Sequence, residues 1–323
     1  MRVVRATRFG GPEVLVAGEA PDPVAGPGQV VVDVAVAALD FVQTQLRGGV
    51  TPGPPLPEPP YVPGGSVAGL VTTTGPGVDP AWIGRRVVAH TAGGYGSNAE
   101  RAVAAVGALI PVPDGMGLDV AAALLDDGGT ALGLVEGAGI RPDEWVLVEA
   151  AAGGLGSLLV QLARAAGARV VGAARGPAKL DLAKQVGADV VVDYSEPGWA
   201  ERVREATGGG PDLVFDGVGG TIGREAFGVT ARGGRFSVHG ASSGAATVID
   251  EAEALRNGVA VIGIEQLHGF QAHAHDRATR ALAEAAAGRL RPVIGRTFPL
   301  ERASSAHAAM EAREVLGKTL LVL

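Results

Sequence analysis

The pattern of apolar positions along the chain changes near residue 119. Before that point, short apolar runs are separated by glycine and proline, and three of these runs are Gln29–Ala37, Val67–Thr74 and Arg86–His90. Runs of this kind, bounded by turn residues, predict a mainly β domain. The segment 52–63, PGPPLPEPPYVP, is too rich in proline to form a helix or a central strand.

Strands alternate with helices after that point, beginning with a helix predicted at Asp119–Gly137. The strands predicted next are apolar along their length: Trp145–Glu149, Ala168–Ala174, Val190–Asp193, Leu213–Asp216, Gly234–Val238 and Val259–Ile264. Helices are predicted between them at Gly156–Ala166, Ala178–Val186, Glu201–Thr207 and Ile222–Val229. Apolar strands joined by helices predict an α/β fold with a doubly wound parallel sheet, covered on both faces.

The C-terminal segment returns to a mixed pattern. It predicts helices at Arg277–Arg289 and Glu301–Arg313, a short strand near Ile294 and a final strand at Lys318–Leu323. This tail could complete the first domain, which periodicity alone does not decide. With 323 residues, the chain is too long for one ordinary core, so two domains are expected.

Composition narrows the class of protein. The net charge of −7 leaves no basic surface for nucleic acid, so no nucleic-acid partner is expected. The absence of cysteine excludes disulfides, thiolate zinc sites and cysteine nucleophiles. Because no signal-peptide pattern and no run of about 18 uncharged apolar residues occurs, we expect a soluble cytoplasmic protein without a membrane segment.

A glycine-rich turn follows the first strand of the alternating region. It has the pattern A-x-x-G-G-x-G from Ala150 to Gly156, with Ala152, Gly153, Gly154 and Leu155 inside it. A dinucleotide-binding turn needs small residues so that the backbone can reverse tightly and approach the pyrophosphate at a helix N-terminus. The alternative is a tight turn in an α/β domain that binds no ligand.

The end of the second strand distinguishes between the two nicotinamide cofactors. An NAD site usually carries an acidic residue there, but this chain has Ala174 followed by Arg175, with Lys179 four residues further on. Two cations without a carboxylate favour the 2′-phosphate of NADPH. Tyr194 ends the next strand, where it could lie beside the adenosine. The alternative is that both cations are solvated residues at the start of a helix.

Several segments resemble, in order, the medium-chain dehydrogenase/reductases, in their zinc-free quinone oxidoreductase (zeta-crystallin-like) branch. In the alternating region they are AAAGGLGSLLVQLARAAGARVV, KLDLAKQVGADVVVDY and GGGPDLVFDGVGG. Elsewhere they are MRVVRATRFGGPEVL, VPGGSVAGLVTTTGPGV, AAALLDDGGTALGL and RLRPVIGRTFPLERASSAHAAMEAREVLGKTLLVL. The resemblance therefore extends over essentially the whole chain.

This resemblance implies a domain organisation. Residues 1–121 would form a GroES-like, mainly β substrate domain, residues 122–264 a Rossmann NADPH-binding domain, and residues 265–323 would complete the substrate domain. The active cleft would lie at their junction. Members of the branch commonly form homodimers, often by joining the edges of their Rossmann sheets, so a homodimer and a small-molecule substrate are expected. No metal site is expected.

The resemblance also carries individual cofactor positions. The glycine turn fits the pyrophosphate, and Lys179 and Tyr194 match positions that often meet the 2′-phosphate and the adenosine. Arg313 matches a C-terminal basic residue that can reach the same phosphate. Val218, within the segment Asp216–Gly219, and the pair His239 and Gly240 match strand ends that approach the nicotinamide.

The loop that borders the nicotinamide in this branch differs in the present chain. The branch often reads Asn-x-x-Asp-Thr-Tyr, whereas this chain has Asp-x-x-Gln-Thr-Gln at Asp40, Gln43, Thr44 and Gln45. Asn98 stands where an aromatic residue is common. Asp40, Thr44 and Asn98 are therefore our candidates for positioning the acceptor, and Asp40 could donate a proton only if burial raised its pKa.

Histidines and further acids leave several interpretations open. His268, His273 and His275 could bind a metal, but a solvated loop or a channel rim is the better interpretation, because His273 and His275 are two positions apart and would not share a helix face. His90 ends a predicted strand and could face the cleft. Asp126 and Asp127 could suggest a carboxylate pair, but adjacent residues on a helix diverge, so either Asp126 or Asp127 could line a pocket.

The sequence thus predicts an NADPH-dependent reductase that passes hydride to a quinone or to the β-carbon of an enone. The product anion could take its proton from water or from a hydroxyl group, so no strong protein acid is required. One alternative is the reduction of an enoyl thioester or of a dedicated biosynthetic intermediate. Another is an NADPH-binding sensor or partner-binding protein with little turnover.

Overall fold

The computed structural model describes residues 1–50 and 55–323. The described chain divides into two compact units, the first made of Met1–Asp126 and Ala278–Leu323 and the second of Asp127–Arg277. The domain boundaries predicted above lie at 121 and 264, and the assignment of a substrate role and a cofactor role to the two domains stays a prediction.

Strands and helices alternate much as the apolar pattern indicates. The strands are β1 Arg2–Ala6, β2 Leu15–Glu19, β3 Gln29–Leu39, β4 Ser66–Thr74, β5 Arg86–His90, β6 Arg101–Ala105, β7 Ile110–Pro111, β8 Trp145–Glu149, β9 Arg169–Ala174, β10 Val190–Asp193, β11 Leu213–Asp216, β12 Arg235–Val238, β13 Ala260–Ile262, β14 Ile294–Pro299 and β15 Lys318–Val322. The helices are α1 Phe41–Arg47, α2 Leu118–Ala138, α3 Gly154–Ala165, α4 Pro177–Gln185, α5 Trp199–Thr207, α6 Gly220–Val229, α7 Glu251–Asn257, α8 Gln266–Phe270, α9 Ala274–Ala286 and α10 Ala303–Glu311.

The first unit is built on a seven-stranded sheet with the order β14-β15-β3-β4-β5-β7, in which β6 also pairs with β3. The C-terminal strand β15 runs antiparallel to β3, with Thr319 opposite Leu39. Apolar side chains of these strands meet in one core that includes Val32, Leu39 and Leu321. The last strand of the chain is therefore part of the interior of the first unit.

The second unit contains a parallel sheet of six strands in the order β10-β9-β8-β11-β12-β13. The chain moves outward from β8 in one direction and then restarts at β11 in the other. Right-handed crossovers on both sides of this switch place helices on opposite faces, which makes the sheet doubly wound. The predicted α/β fold class is confirmed, with a GroES-like, mainly β unit and a Rossmann-type sheet.

Three short helices were not predicted: α1, α7 and α8. Each has only five to seven residues, too few for a helical period to stand out from the sequence. Residues 52–54 of the proline-rich segment lie outside the described residues. From 55 to 63 the chain forms no helix or strand apart from an isolated bridge between Tyr61 and Ala6.

Among the described residues, no helix combines the length and the apolar character needed to cross a membrane.

Replacement of Leu321 by alanine is expected to lower the free energy of unfolding by about 2–5 kcal/mol, because the fully buried side chain leaves a cavity in the core of the first unit. Val322 on the same strand is 37% exposed, so Val322→Ala serves as the control, with an expected loss of about 0.5 kcal/mol. Urea denaturation followed by circular dichroism measures both. Equal losses would contradict the core position of β15.

Candidate active site

The glycine-rich turn between β8 and α3 is held by close backbone contact. Ala150 adopts a left-handed conformation with φ of 50°, and Gly153 stands at the cap position before α3. A Cβ atom on Gly156 would lie 2.2 Å from the carbonyl oxygen of Ala150. Only glycine fits there, because any side chain would displace the backbone of the turn.

The N-terminus of α3 is open to an anion. No side chain caps it, and the backbone N–H groups of Gly154, Leu155 and Gly156 have no hydrogen-bond partner within residues 1–50 and 55–323. Unpaired N–H groups and the helix dipole together attract negative charge. A diphosphate group therefore fits the turn from Ala152 to Gly156, which the sequence identified.

The ends of β9 and β10 bring three predicted adenosine-side residues into one region. Tyr194 donates its backbone N–H to the carbonyl of Ala174 at 3.2 Å, which places the end of β10 beside the end of β9. Arg175 follows directly and is exposed, and Lys179 lies half-buried on α4. Both cations are thus placed on the segment that follows β9.

Asp193, which the sequence analysis did not single out, adds a carboxylate to the same region. Its Oδ2 accepts the backbone N–H of Gly176, and its Oδ1 accepts the backbone N–H of Ser195, each at 2.8 Å. Burial opposes ionisation, but the bonds from Ser195 and Gly176 and the charge of Arg175 hold the pKa of Asp193 below its ordinary value. Because both oxygens are engaged by the backbone, this carboxylate organises the loop after β9.

The ends of β11 and β12 are joined through Asp216. Its side-chain Oδ1 accepts the N–H groups of Val218 at 3.0 Å and Gly219 at 2.7 Å. Its backbone carbonyl accepts the N–H groups of His239 at 2.8 Å and Gly240 at 3.2 Å. The three predicted nicotinamide-side residues, Val218, His239 and Gly240, are therefore brought together around one acidic residue.

A second acidic residue is buried next to Asp216. The parallel register of β8 and β11 pairs Val148 with Phe215, so Glu149 and Asp216 are the next residues on the two neighbouring strands. Both side chains are fully buried. Burial, followed by the charge of Asp216, raises the pKa of Glu149 well above its ordinary value and so favours its protonated form.

His239 is also buried at this edge of the sheet. Its Nδ1 atom has no hydrogen-bond partner among the described residues, and a Cβ atom on Gly217 would lie 2.8 Å from its Nε2 atom. Burial lowers the pKa of His239 to about 4, against the opposing charge of Asp216. The imidazole is therefore neutral at physiological pH and has one nitrogen that a ligand could engage.

The three candidate positioning residues belong to the first unit and occupy different environments. Asp40 precedes α1 and forms an ion pair with Lys318, with 24% of the Asp40 side chain exposed. Thr44 is buried in α1 and donates its hydroxyl to the carbonyl of Phe41 at 2.7 Å. Asn98 is fully buried, and within residues 1–50 and 55–323 neither polar atom of its side-chain amide has a hydrogen-bond partner.

Arg313 also belongs to the first unit, whereas the other predicted phosphate ligands belong to the second. Its backbone φ is 58°, and its guanidinium carbon lies 4.0 Å above the ring centre of Phe41. The stacking holds Arg313 against the first residue of α1, directly after Asp40.

A further group of charged side chains gathers in the first unit. His90, at the end of β5, forms a hydrogen bond through its Nε2 atom with Oδ1 of Asp126 on α2, at 2.7 Å. Lys318 of β15 is almost completely buried beside Asp40. The bond to Asp126, opposed by burial and aided by the charges of Asp126 and Asp40, raises the pKa of His90.

The same network acts on Asp126. Burial favours its neutral form, but the hydrogen bond and charge of His90 and the charge of Lys318 hold the pKa of Asp126 below its ordinary range. The sequence analysis considered His90, and either Asp126 or Asp127, as separate pocket residues and did not pair them. Lys318 was missed, although a lysine inside the apolar C-terminal strand is a visible signal of a buried partner.

The three clustered histidines lie on short helical segments. His268 is on α8, His273 ends a 3-10 turn and His275 is on α9. Across residues 1–50 and 55–323, no group of three or more histidine, aspartate or glutamate side chains could hold a metal ion.

Comparisons with known protein families match both parts of the chain. Residues 26–114 match the alcohol dehydrogenase GroES-like domain, and residues 154–282 match the zinc-binding dehydrogenase family. Thiolate ligands are not available to a zinc ion here, because the chain has no cysteine.

Known proteins are similar to the chain over its whole length. A 2-haloacrylate reductase from a Burkholderia species is 32% identical over 97% of this chain and 96% of its own. A quinone oxidoreductase from Pseudomonas aeruginosa is 32% identical over 99% of this chain and 98% of its own. The solved structure of mycobacterial Rv1454c complexed with NADPH is 34% identical, covers 100% of both chains and has a TM-score of 0.91.

Replacement of Glu149 by glutamine is expected to change the pH dependence of stability. Because the folded chain keeps on Glu149 a proton that the unfolded chain releases above its ordinary pKa of 4.5, the free energy of unfolding falls as pH rises above that value. Glu149→Gln removes this loss, so its stability relative to the unaltered chain should increase as the pH rises above that ordinary pKa. Urea denaturation at several pH values measures the difference.

The exposed residue Glu205 supplies the control for this experiment. Glu205→Gln makes the same chemical change on α5 without burial, so it measures the effect of a Glu-to-Gln exchange at an exposed position. A pH-independent difference for Glu149→Gln would contradict the raised pKa of Glu149.

Proposed function

The chain belongs to the quinone oxidoreductase branch of the medium-chain dehydrogenase/reductases and is an NADPH-dependent oxidoreductase, and we propose that its hydride acceptor is a quinone or an α,β-unsaturated carbonyl compound. The observation that carries the proposal is the open glycine turn before α3, followed at the end of β9 by a cation in place of a carboxylate. The proposal also draws on the names of the relatives described above.

We propose the following residues for the cofactor. The turn from Ala152 to Gly156 binds the pyrophosphate, with the open backbone N–H groups of Gly154, Leu155 and Gly156 as donors. Arg175 and Lys179 bind the 2′-phosphate, with Arg313 as a third cation, and Tyr194 lies against the adenosine. When bound, NADPH supplies a hydride from C4 of its nicotinamide.

Val218, His239 and Gly240 are proposed for the nicotinamide end. Asp216 fixes the backbone at all three positions through its four hydrogen bonds, and protonated Glu149 beside it limits the charge that is buried there. The neutral imidazole of His239 can exchange a hydrogen bond with an uncharged group of the ligand. These residues orient the reacting ring without adding net charge to it.

Asp40, Thr44 and Asn98 are proposed to position the acceptor. Among the three, Asp40 has a partly exposed carboxylate, which Lys318 keeps paired. The hydroxyl oxygen of Thr44 can still accept a hydrogen bond, because the contact with Phe41 uses only its proton. Asn98 offers two unsatisfied polar atoms, and a buried amide of this kind calls for a partner.

The roles of the two domains, the oligomeric state and the cellular location are part of the same proposal. The mainly β region with the C-terminal segment binds the acceptor, and the Rossmann region binds the cofactor. We further propose a homodimer located in the cytoplasm. Light scattering coupled to size-exclusion chromatography tests the dimer, which a monomer mass would contradict.

An activated alkene conjugated to a carboxylate or a thioester is the second candidate acceptor. The name of the Burkholderia relative, a 2-haloacrylate reductase, favours it, as does the altered loop at Asp40. A protein that binds NADPH with little turnover is the alternative outside catalysis.

The experiment is to follow NADPH oxidation, with NADH in parallel, against four acceptors: a simple quinone, a small enone, a 2-haloacrylate and an enoyl thioester. Calorimetric titration of NADPH runs alongside. Turnover of the quinone or the enone supports the proposal, and exclusive turnover of the 2-haloacrylate or the thioester supports the second candidate. Binding of NADPH without turnover of any acceptor would favour the sensor, and absence of NADPH binding would overturn all three.

Replacement of Arg175 by alanine is expected to raise the KM for NADPH about tenfold, because one charge-assisted contact with the 2′-phosphate is lost. The KM for NADH should stay unchanged, since NADH has no 2′-phosphate. Arg8→Ala, at an exposed arginine of the first unit, is the control and should alter neither value. Equal effects on the two cofactors would show that Arg175 does not recognise the phosphate.

A further inference from the structure

Four ionisable side chains from four separate elements meet in the first unit. Asp40 precedes α1, His90 ends β5, Asp126 lies on α2 and Lys318 begins β15. Two contacts join them in pairs, His90 with Asp126 and Lys318 with Asp40. The electrostatic effects of Asp40 on His90 and of Lys318 on Asp126 connect the two pairs into one network.

The network is balanced only when His90 carries a proton. Asp40 and Asp126 supply two negative charges, and Lys318 supplies one positive charge. A protonated His90 brings the sum to zero, which favours the imidazolium in a partly buried setting. The contact of His90 with Asp126 and the charge count of the network therefore both favour the protonated form of His90.

The histidine ring presents one nitrogen outward. Its Nε2 atom is engaged by Asp126, whereas Nδ1 has no hydrogen-bond partner in the part of the chain that the structure covers. The His90 side chain is 46% exposed, the most exposed of the four, while Lys318 is 4% exposed. Asp126, whose side chain is 31% exposed, holds this half-exposed histidine through one hydrogen bond, and such a pair orients and charges a proton donor.

We propose that His90, held and charged by Asp126, is the catalytic acid that protonates the reduced acceptor. This inference rests on the proposed reductase function and names a donor for a proton that the sequence analysis drew from water or a hydroxyl group. The proposal also gives Asp126 a role, as the positioning residue for His90.

The step balances as follows. The acceptor receives a hydride from NADPH at its β-carbon, or at one oxygen or ring carbon of a quinone, and the electron pair of the conjugated system moves to the carbonyl oxygen. The resulting anion then takes the proton of Nδ1–H, so that an N–H bond breaks and an O–H bond forms. The neutral imidazole keeps its Nε2–H bond to Asp126, and solvent returns a proton to Nδ1.

The test compares pH profiles of kcat/KM for His90→Gln and Asp126→Asn with the unaltered enzyme. In the unaltered enzyme, kcat/KM should fall at alkaline pH as His90 loses its proton. His90→Gln should lower kcat/KM at neutral pH at least about tenfold and flatten the alkaline fall. Asp126→Asn should move the fall toward lower pH, because the imidazolium loses its anionic partner.

His273→Gln is the matched control, since His273 is exposed and forms no part of the network. Calorimetric titration should give the same NADPH affinity for all four proteins. Histidine titration by NMR on the cofactor-free chain reports the protonation of His90 directly, and Asp126→Asn should lower the pH at which it titrates.

The outcomes separate this proposal from the one on which it rests. If no acceptor supports NADPH oxidation by the unaltered enzyme, the proposed function and the acid role fail together. If the unaltered enzyme turns over and His90→Gln keeps both its rate and its alkaline fall, the acid role alone is overturned. A His90 that titrates at the same pH in the unaltered chain and in Asp126→Asn overturns the role given to Asp126.

Discussion

The common edge at which parallel strands end is the constraint on which the second unit depends. The strands are buried on both faces, so their interiors exclude polar groups, and polar chemistry can begin only where each strand stops. Because all six strands run in the same direction, those points lie along one edge. The open turn after β8, the cations after β9 and the loop after β11 follow from this single geometric fact.

Two neighbouring acidic side chains, Asp216 and Glu149, are buried at this edge, where a negative charge is unfavourable. Asp216 is fully buried and binds four backbone N–H groups with its side chain and its carbonyl, so it must stay in place for the loop to keep its shape. Glu149 beside it remains neutral, since two buried carboxylates on adjacent strands cannot both ionise. The pair thereby joins the glycine turn to the loop at the nicotinamide end.

The first unit handles charge in a different way. Its network neutralises each acidic residue with a cation from a distant part of the sequence, as Lys318 does for Asp40 across almost the whole chain. Only a strand that returns from the C-terminus to pair with β3 brings these residues together. The closure that completes the sheet also places Lys318 beside Asp40, one of the two carboxylates whose charges raise the pKa of His90.

The sequence by itself determined the α/β fold class, the bounds of β5, β8, β10 and β11, and the glycine turn, because period and turn chemistry are local properties. Only the tertiary structure decided that Glu149 lies beside Asp216, that Asp193 accepts hydrogen bonds from the backbone and that His90 forms a hydrogen bond with Asp126. Glu149 and Asp216, like His90 and Asp126, are separated by tens of residues, and nothing in a local pattern states which strand ends become neighbours. Burial and the pKa of each group depend on those neighbours, so the protonation states could be assigned only once the chain was folded.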